Sequence, residues 1–147
     1  LRRYSYIVTY TKTFVGKPMP TTHHPTPAEL QILDVLWDLK RATVREVYDR
    51  LNTRKPTTYT TVLKFLQIMQ EKGLVVRDEK EKAHVYRPRA SQHQTQRRLV
   101  TSLMERAFRG SALGLVQHVL ETKPASAEDL AAIRKMIDEA EAKGAKR

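Results

Sequence analysis

The sequence predicts a mainly α-helical chain with one small β-hairpin. Two observations carry this. Four helix-start signatures, TPAE, TVRE, SQHQ and SAED, each lead into apolar residues spaced three and four apart. Between the second and third of these signatures, one β-prone interruption, LVVRDEKEKAHVYRP, spans residues 74–88.

Each element follows in order. Thr26 caps a helix with Pro27 at its first position and Glu29 closing the capping box; PAELQILDVLWDLK then has a broad apolar face, fit to pack on more than one side. Thr43 and Glu46 repeat the box, and Val44, Val47, Tyr48 and Leu51 make one buried stripe. Asn52–Lys55 reads as a turn, and a third helix runs from Pro56 or Thr57 to Lys72 and stops at Gly73. Leu74–Arg77 and Ala83–Arg87 are the hairpin strands, with Asp78–Lys82 as the tip and Pro88 as the stop. Ser91–Gln94 opens a fourth helix, interrupted at Gly110, and an apolar pattern continues over Ala112–Leu120. Pro124 breaks the chain, and Ser126 caps a last amphipathic helix.

Helix, helix, turn, helix, hairpin is the order of a winged helix-turn-helix. We therefore expect a DNA-binding domain over 26–90 and a helical dimerisation region over 91–147. Residues 1–25 are read as an N-terminal extension. They hold no acid, a strand-like stretch over 4–15, and a Met19 that could be an alternative start, so added residues or an over-long gene start compete with a functional arm.

The third helix carries the chemistry. Tyr59, Val62, Leu63, Leu66 and Met69 share one face, while Thr57, Thr60, Thr61 and Lys64 lie opposite, near the N-terminus, with Thr58 alongside. Threonine is a mediocre helix former, so stability alone does not account for four of them. The second helix of such a motif sets its first residues against base edges in the major groove. There a threonine hydroxyl reaches a base or phosphate and its methyl can meet a thymine methyl. Thr57 is the one that could serve merely as a cap. Arg54, Lys55, Arg45, Arg77, Lys82 and Arg87 are spaced to meet phosphates, which sets affinity and salt dependence rather than sequence preference.

Bulk properties agree. A net charge of +11 in 147 residues draws the chain to polyanions. Cysteine is absent, which excludes disulfides, thiolate metal sites and thiol nucleophiles. No apolar run approaches the roughly 20 residues of a membrane span, and residues 1–25 hold no signal-peptide core, so no membrane insertion and a cytoplasmic location are expected. The five histidines show no metal-ligand spacing and there is no glycine-rich phosphate loop. Neither an enzyme nor a cofactor is expected.

The runs AELQILDVLWD, TVREVYDRLN, TTYTTVLKFLQIMQEKGLV and VYRPRA resemble the penicillinase-repressor family of bacterial regulators (the BlaI/MecI/CopY group), over about Pro25 to Ala140. The resemblance implies a homodimeric repressor on an inverted-repeat DNA operator, joined through its C-terminal helices. The residues for that interface are Leu99, Leu103, Phe108, Leu113, Val116, Leu120, Leu130, Ile133 and Ile137. Copper-responsive members carry a C-terminal cysteine cluster that this chain lacks, so that route to copper is closed. In the antibiotic-resistance members, a membrane sensor triggers proteolysis at an Asn-Phe bond in the dimer helix. The matching place here is His118–Val119, which departs from that specificity. Cleavage elsewhere in Gly110–Glu121 by a sensor-linked protease stays open. Two other readings are weighed: a winged-helix regulator controlled by a small ligand, and a winged-helix module that docks protein rather than DNA.

Overall fold

The structure, a computed structural model, describes residues 24–146; the extension, including the strand-like stretch, lies outside the described residues apart from His24 and Pro25. The chain divides into two compact units, one up to Gln96 and one from Arg97 on.

In the first unit, α1 (Pro27–Leu39) starts as its capping box dictates. The Thr26 hydroxyl accepts the Glu29 N–H at 3.3 Å, and Glu29 Oε2 accepts the Thr26 N–H at 2.9 Å. The helix buries Ile32, Leu33, Val35 and Leu36 and ends at Lys40, which turns the chain in the left-handed region at φ 67°. The Trp37 indole N–H donates to the Ala90 carbonyl at 3.0 Å, tying the end of α1 to the segment after the hairpin.

A strand not expected from the sequence follows. β1 is two residues, Ala42–Thr43, too short for any periodicity to show. Thr43 also caps α2 (Val44–Arg54). Its hydroxyl accepts the Glu46 N–H at 3.2 Å, while Glu46 Oε2 accepts the Thr43 N–H at 2.7 Å. The expected turn at Asn52–Lys55 starts late, because α2 keeps Asn52, Thr53 and Arg54 in its last turn and only Lys55 is extended. For the same reason α3 is Tyr59–Glu71, opening two residues beyond Thr57.

α3 buries Val62, Leu66 and Met69 and leaves by a Schellman turn. Gly73 N–H donates to the Gln70 carbonyl at 3.0 Å and Leu74 N–H to the Met69 carbonyl at 2.9 Å. Gly73 sits at φ 76°, where a side chain would be strained. Leu74 then drops into the core.

The strands are β2 (Val75–Asp78) and β3 (Val85–Pro88), each beginning later than the expected strands. They form one antiparallel sheet ordered β1-β3-β2, with Val75 opposite Pro88, Asp78 opposite Val85, and Ala42 opposite Tyr86. Pro88 is tolerated as the last residue of its strand. Tyr86, in the central strand, is 1% exposed and closes the core formed by α1, α2 and α3.

Glu29 is itself buried, at 2% exposure. Its second oxygen accepts the Lys72 ammonium at 2.6 Å, so the start of α1 and the end of α3 are joined by an ion pair 43 residues apart.

From Arg97 on, the second unit holds the rest of α4 (Gln92–Ala107), α5 (Ala112–Thr122) and α6 (Ala127–Ala145). Ser91 and Gln94 form the expected reciprocal cap of α4, at 3.0 and 3.1 Å. Arg109 and Gly110, at φ 51° and 78°, break the helix before Ser111 caps α5. α5 ends ahead of Pro124, and Ser126 caps α6. No apolar side chain described in this unit is buried.

Two outcomes follow. Lys72→Ala strands a buried carboxylate and should lower stability by about 2 kcal/mol in urea unfolding, less than a fully buried pair because Lys72 is 29% exposed. The Thr43 backbone N–H, above all, holds the Glu46 carboxyl below its ordinary 4.5. A lowered folded-state value gives stability present above the unfolded value and lost as pH falls through the folded one. The melting-temperature advantage of wild type over Glu46→Gln should therefore shrink as pH drops below 4.5.

Candidate nucleic-acid interface

The site is built around the first two turns of α3. The junction from α2 is pinned by Asn52, whose Oδ1 accepts the Thr57 N–H at 3.2 Å. Thr57 is half-buried and stands before the helix. The cap is Thr58, not Thr57. Its hydroxyl accepts the Thr61 N–H at 3.2 Å and lies 2.8 Å from the Thr61 hydroxyl. Pro56 explains the shift: it disfavours helix at Lys55, which is extended, Thr58 is extended as well, and the first helical residue is Tyr59.

The four threonines therefore split. Thr58 and Thr61 serve the helix start, Thr57 the junction, and Thr60 stands exposed on the first turn. Thr60, Lys64 and Gln67 are all exposed at i, i+4 and i+7, a single line along the outer face. Gln67 was not singled out from the sequence, although its spacing from Lys64 marks it. Its amide can accept from N6 and donate to N7 on the major-groove edge of an adenine. Asn52 was also missed, because its role depends on where the turn falls.

Electrostatics favour an anion at this end. The first turns of α1, α2 and α6 carry Glu29, Glu46, and Glu128 with Asp129; that of α3, like those of α4 and α5, carries no acid. An acid there would stabilise the helix by a few tenths of a kcal/mol but would repel a phosphate. Exposed Arg54 and Lys55 precede it instead.

Tyr59, expected on the buried face, is 44% exposed. As the first helical residue it lies beyond the core, and its ring meets Tyr48 of α2 edge-on at 6.1 Å between centroids. The Arg45 guanidinium is 5.4 Å from the Tyr48 centroid and 3.2 Å from Asp49, so both neighbours orient this exposed cation. Lys82 and Arg87 are exposed on the hairpin. Arg77 differs, being half-buried with its guanidinium 2.6 Å from Glu79.

In the second unit, Leu103, Leu113, Val116, Leu120 and Ile137 are exposed, and Leu99, Phe108, Leu130 and Ile133 half-buried. His118 and Val119 lie within α5; the His118 ring has Nδ1 3.0 Å from the Gly114 carbonyl and packs edge-on against Phe108 at 5.3 Å. Among the described residues no three His, Asp or Glu side chains are grouped to hold a metal ion, and no helix is long and apolar enough to cross a membrane.

Three helices closed by a small antiparallel wing, with α3 buried on one face and open on the other, define a winged helix-turn-helix protein. A family model described as penicillinase repressor matches residues 25–139. Two relatives, both called transcriptional regulator BlaI, come from Mycobacterium tuberculosis strains CDC 1551 / Oshkosh and ATCC 25618 / H37Rv. Each is 32% identical over 116 residues, covering 78% of this chain and 83% of the relative. The chain belongs to the penicillinase repressor family of transcriptional regulators.

Thr58→Ala should cost about 1 kcal/mol of stability as a lost cap, whereas Thr60→Ala should leave the denaturant midpoint almost unchanged. Equal losses in the two variants would remove the distinction between cap and outer face.

Proposed function

We propose that the protein represses transcription as a homodimer on an inverted-repeat operator. Family membership supports a repressor; the observation that carries the finer reading is the outer line of α3, where Thr60, Lys64 and Gln67 are exposed at an acid-free, base-flanked helix start. On this reading these three face base edges in the major groove, with Thr57, Thr58 and Thr61 shaping the helix mouth. Arg54, Lys55, Arg45, Lys82 and Arg87 supply phosphate contacts.

The second unit supports the dimer. A unit with exposed Leu103, Leu113 and Val116 and no buried apolar side chain among its described residues lacks a core of its own. A second copy supplies one, and its two-fold symmetry matches an inverted repeat. Release of repression by proteolysis belongs to the same reading. The turn at Phe108–Ser111 opens more readily than the helical His118–Val119 bond, because a protease needs extended chain.

The test is selection of genomic fragments by purified protein at two salt concentrations. An inverted repeat should be enriched, with affinity falling steeply with salt while the preference survives. Salt-sensitive binding with no enriched sequence would count against a sequence-specific repressor. On the recovered repeat, Thr60→Ala should weaken binding about tenfold with little change in melting temperature. Leu103→Asp should give a monomer by light scattering, and a mutant that remains dimeric would move the interface elsewhere. Brief proteolysis should cut within 108–111 before it cuts at 118–119.

A further inference from the structure

The hairpin tip is neutral in a chain of net charge +11: residues 77–82 hold three basic side chains (Arg77, Lys80, Lys82) and three acidic ones (Asp78, Glu79, Glu81). The structure shows where two of the acids go. Glu79 takes the Arg77 guanidinium at 2.6 Å, and Glu81 pairs with Arg41, the residue just before β1. The Asp78 side chain bends the tip by accepting the Lys80 N–H at 3.0 Å. These pairs do little for stability, since Glu79 and both partners of the Arg41–Glu81 pair are well exposed. The hydrogen bond from Arg77 holds the Glu79 carboxyl below its ordinary 4.5, so it stays charged through the neutral range.

We propose that Glu79 and Glu81 are specificity-determining residues that limit sequence-independent binding by holding Arg77 and Arg41 away from phosphates. This rests on the DNA-binding reading above. Each arginine that reaches a phosphate adds about 0.9 to the salt slope whatever the sequence, and such contacts supply nearly all non-specific affinity. A neutral wing leaves base contacts from α3 with a larger share of the binding, and leaves less protein titrated by non-operator DNA.

The experiment measures binding of full-length protein to a random-sequence duplex across a salt series. E79Q/E81Q should bind about 3–10-fold tighter at low salt and steepen the slope by about 1–2. The control is D34N/D38N, which removes the same charge from exposed positions on α1. It should give a markedly smaller gain, and a second control places E79Q/E81Q on R41Q/R77Q, where the extra gain should vanish. E79Q/E81Q no tighter than D34N/D38N, or a gain that survives without the two arginines, would overturn the proposal while leaving DNA binding intact. No salt-dependent binding by the unmodified protein would overturn both.

Discussion

The Lys72 ammonium, at the end of α3, reaches the Glu29 carboxylate at the start of α1, and the other Glu29 oxygen is already held by the Thr26 N–H. A buried carboxylate in this position is tolerable only with both partners in place. The pair therefore couples the exit of α3 to the entry of the whole fold. The Schellman turn at Gly73 and the burial of Leu74 act at the same point, and β2 begins one residue later. At its other end α3 is fixed by the Thr58 cap and by the Tyr48–Tyr59 contact to α2. With both ends and the inner face held, the outer line is presented on a rigid rod, as the proposed positioning against base edges requires.

Much of this was legible in sequence because the signals are local. Capping boxes at Thr26, Thr43 and Ser91 declare themselves within four residues, and Gly73 and Pro124 end their helices where expected. What escaped was either very short or non-local. β1 is two residues long and exists only because β3 lies beside it. The Glu29–Lys72 pair has nothing in its local context to announce it. Arg77 looked like any other surface cation until Glu79 closed on it.

The site was partly legible. Adjacent threonines compete for the cap, and the winner depends on how far α2 and Pro56 push the junction, so Thr57 was named in place of Thr58. Tyr59 was assigned to the core by its position on a helical wheel, which assumes that the core extends the full length of the helix. Gln67 continues the line begun by Thr60 and Lys64, but it shares their spacing and not the threonine chemistry that marks the helix mouth. For the second unit, the apolar periodicity marks the exposed faces of α4, α5 and α6 clearly.

Trp37 has an optical consequence. It is the chain's single tryptophan, packed against the first-unit core with its indole bonded to Ala90, and no tyrosine occurs beyond residue 96. Among the described residues, ultraviolet emission and near-ultraviolet dichroism thus report almost wholly on the winged domain, which holds Trp37, Tyr48, Tyr59 and Tyr86. In the peptide absorption band, by contrast, the helices of the two units contribute in comparable measure. Following one heating curve at both wavelengths would separate the melting of the two units without labels or truncation, because the chain already carries its reporter on one side only.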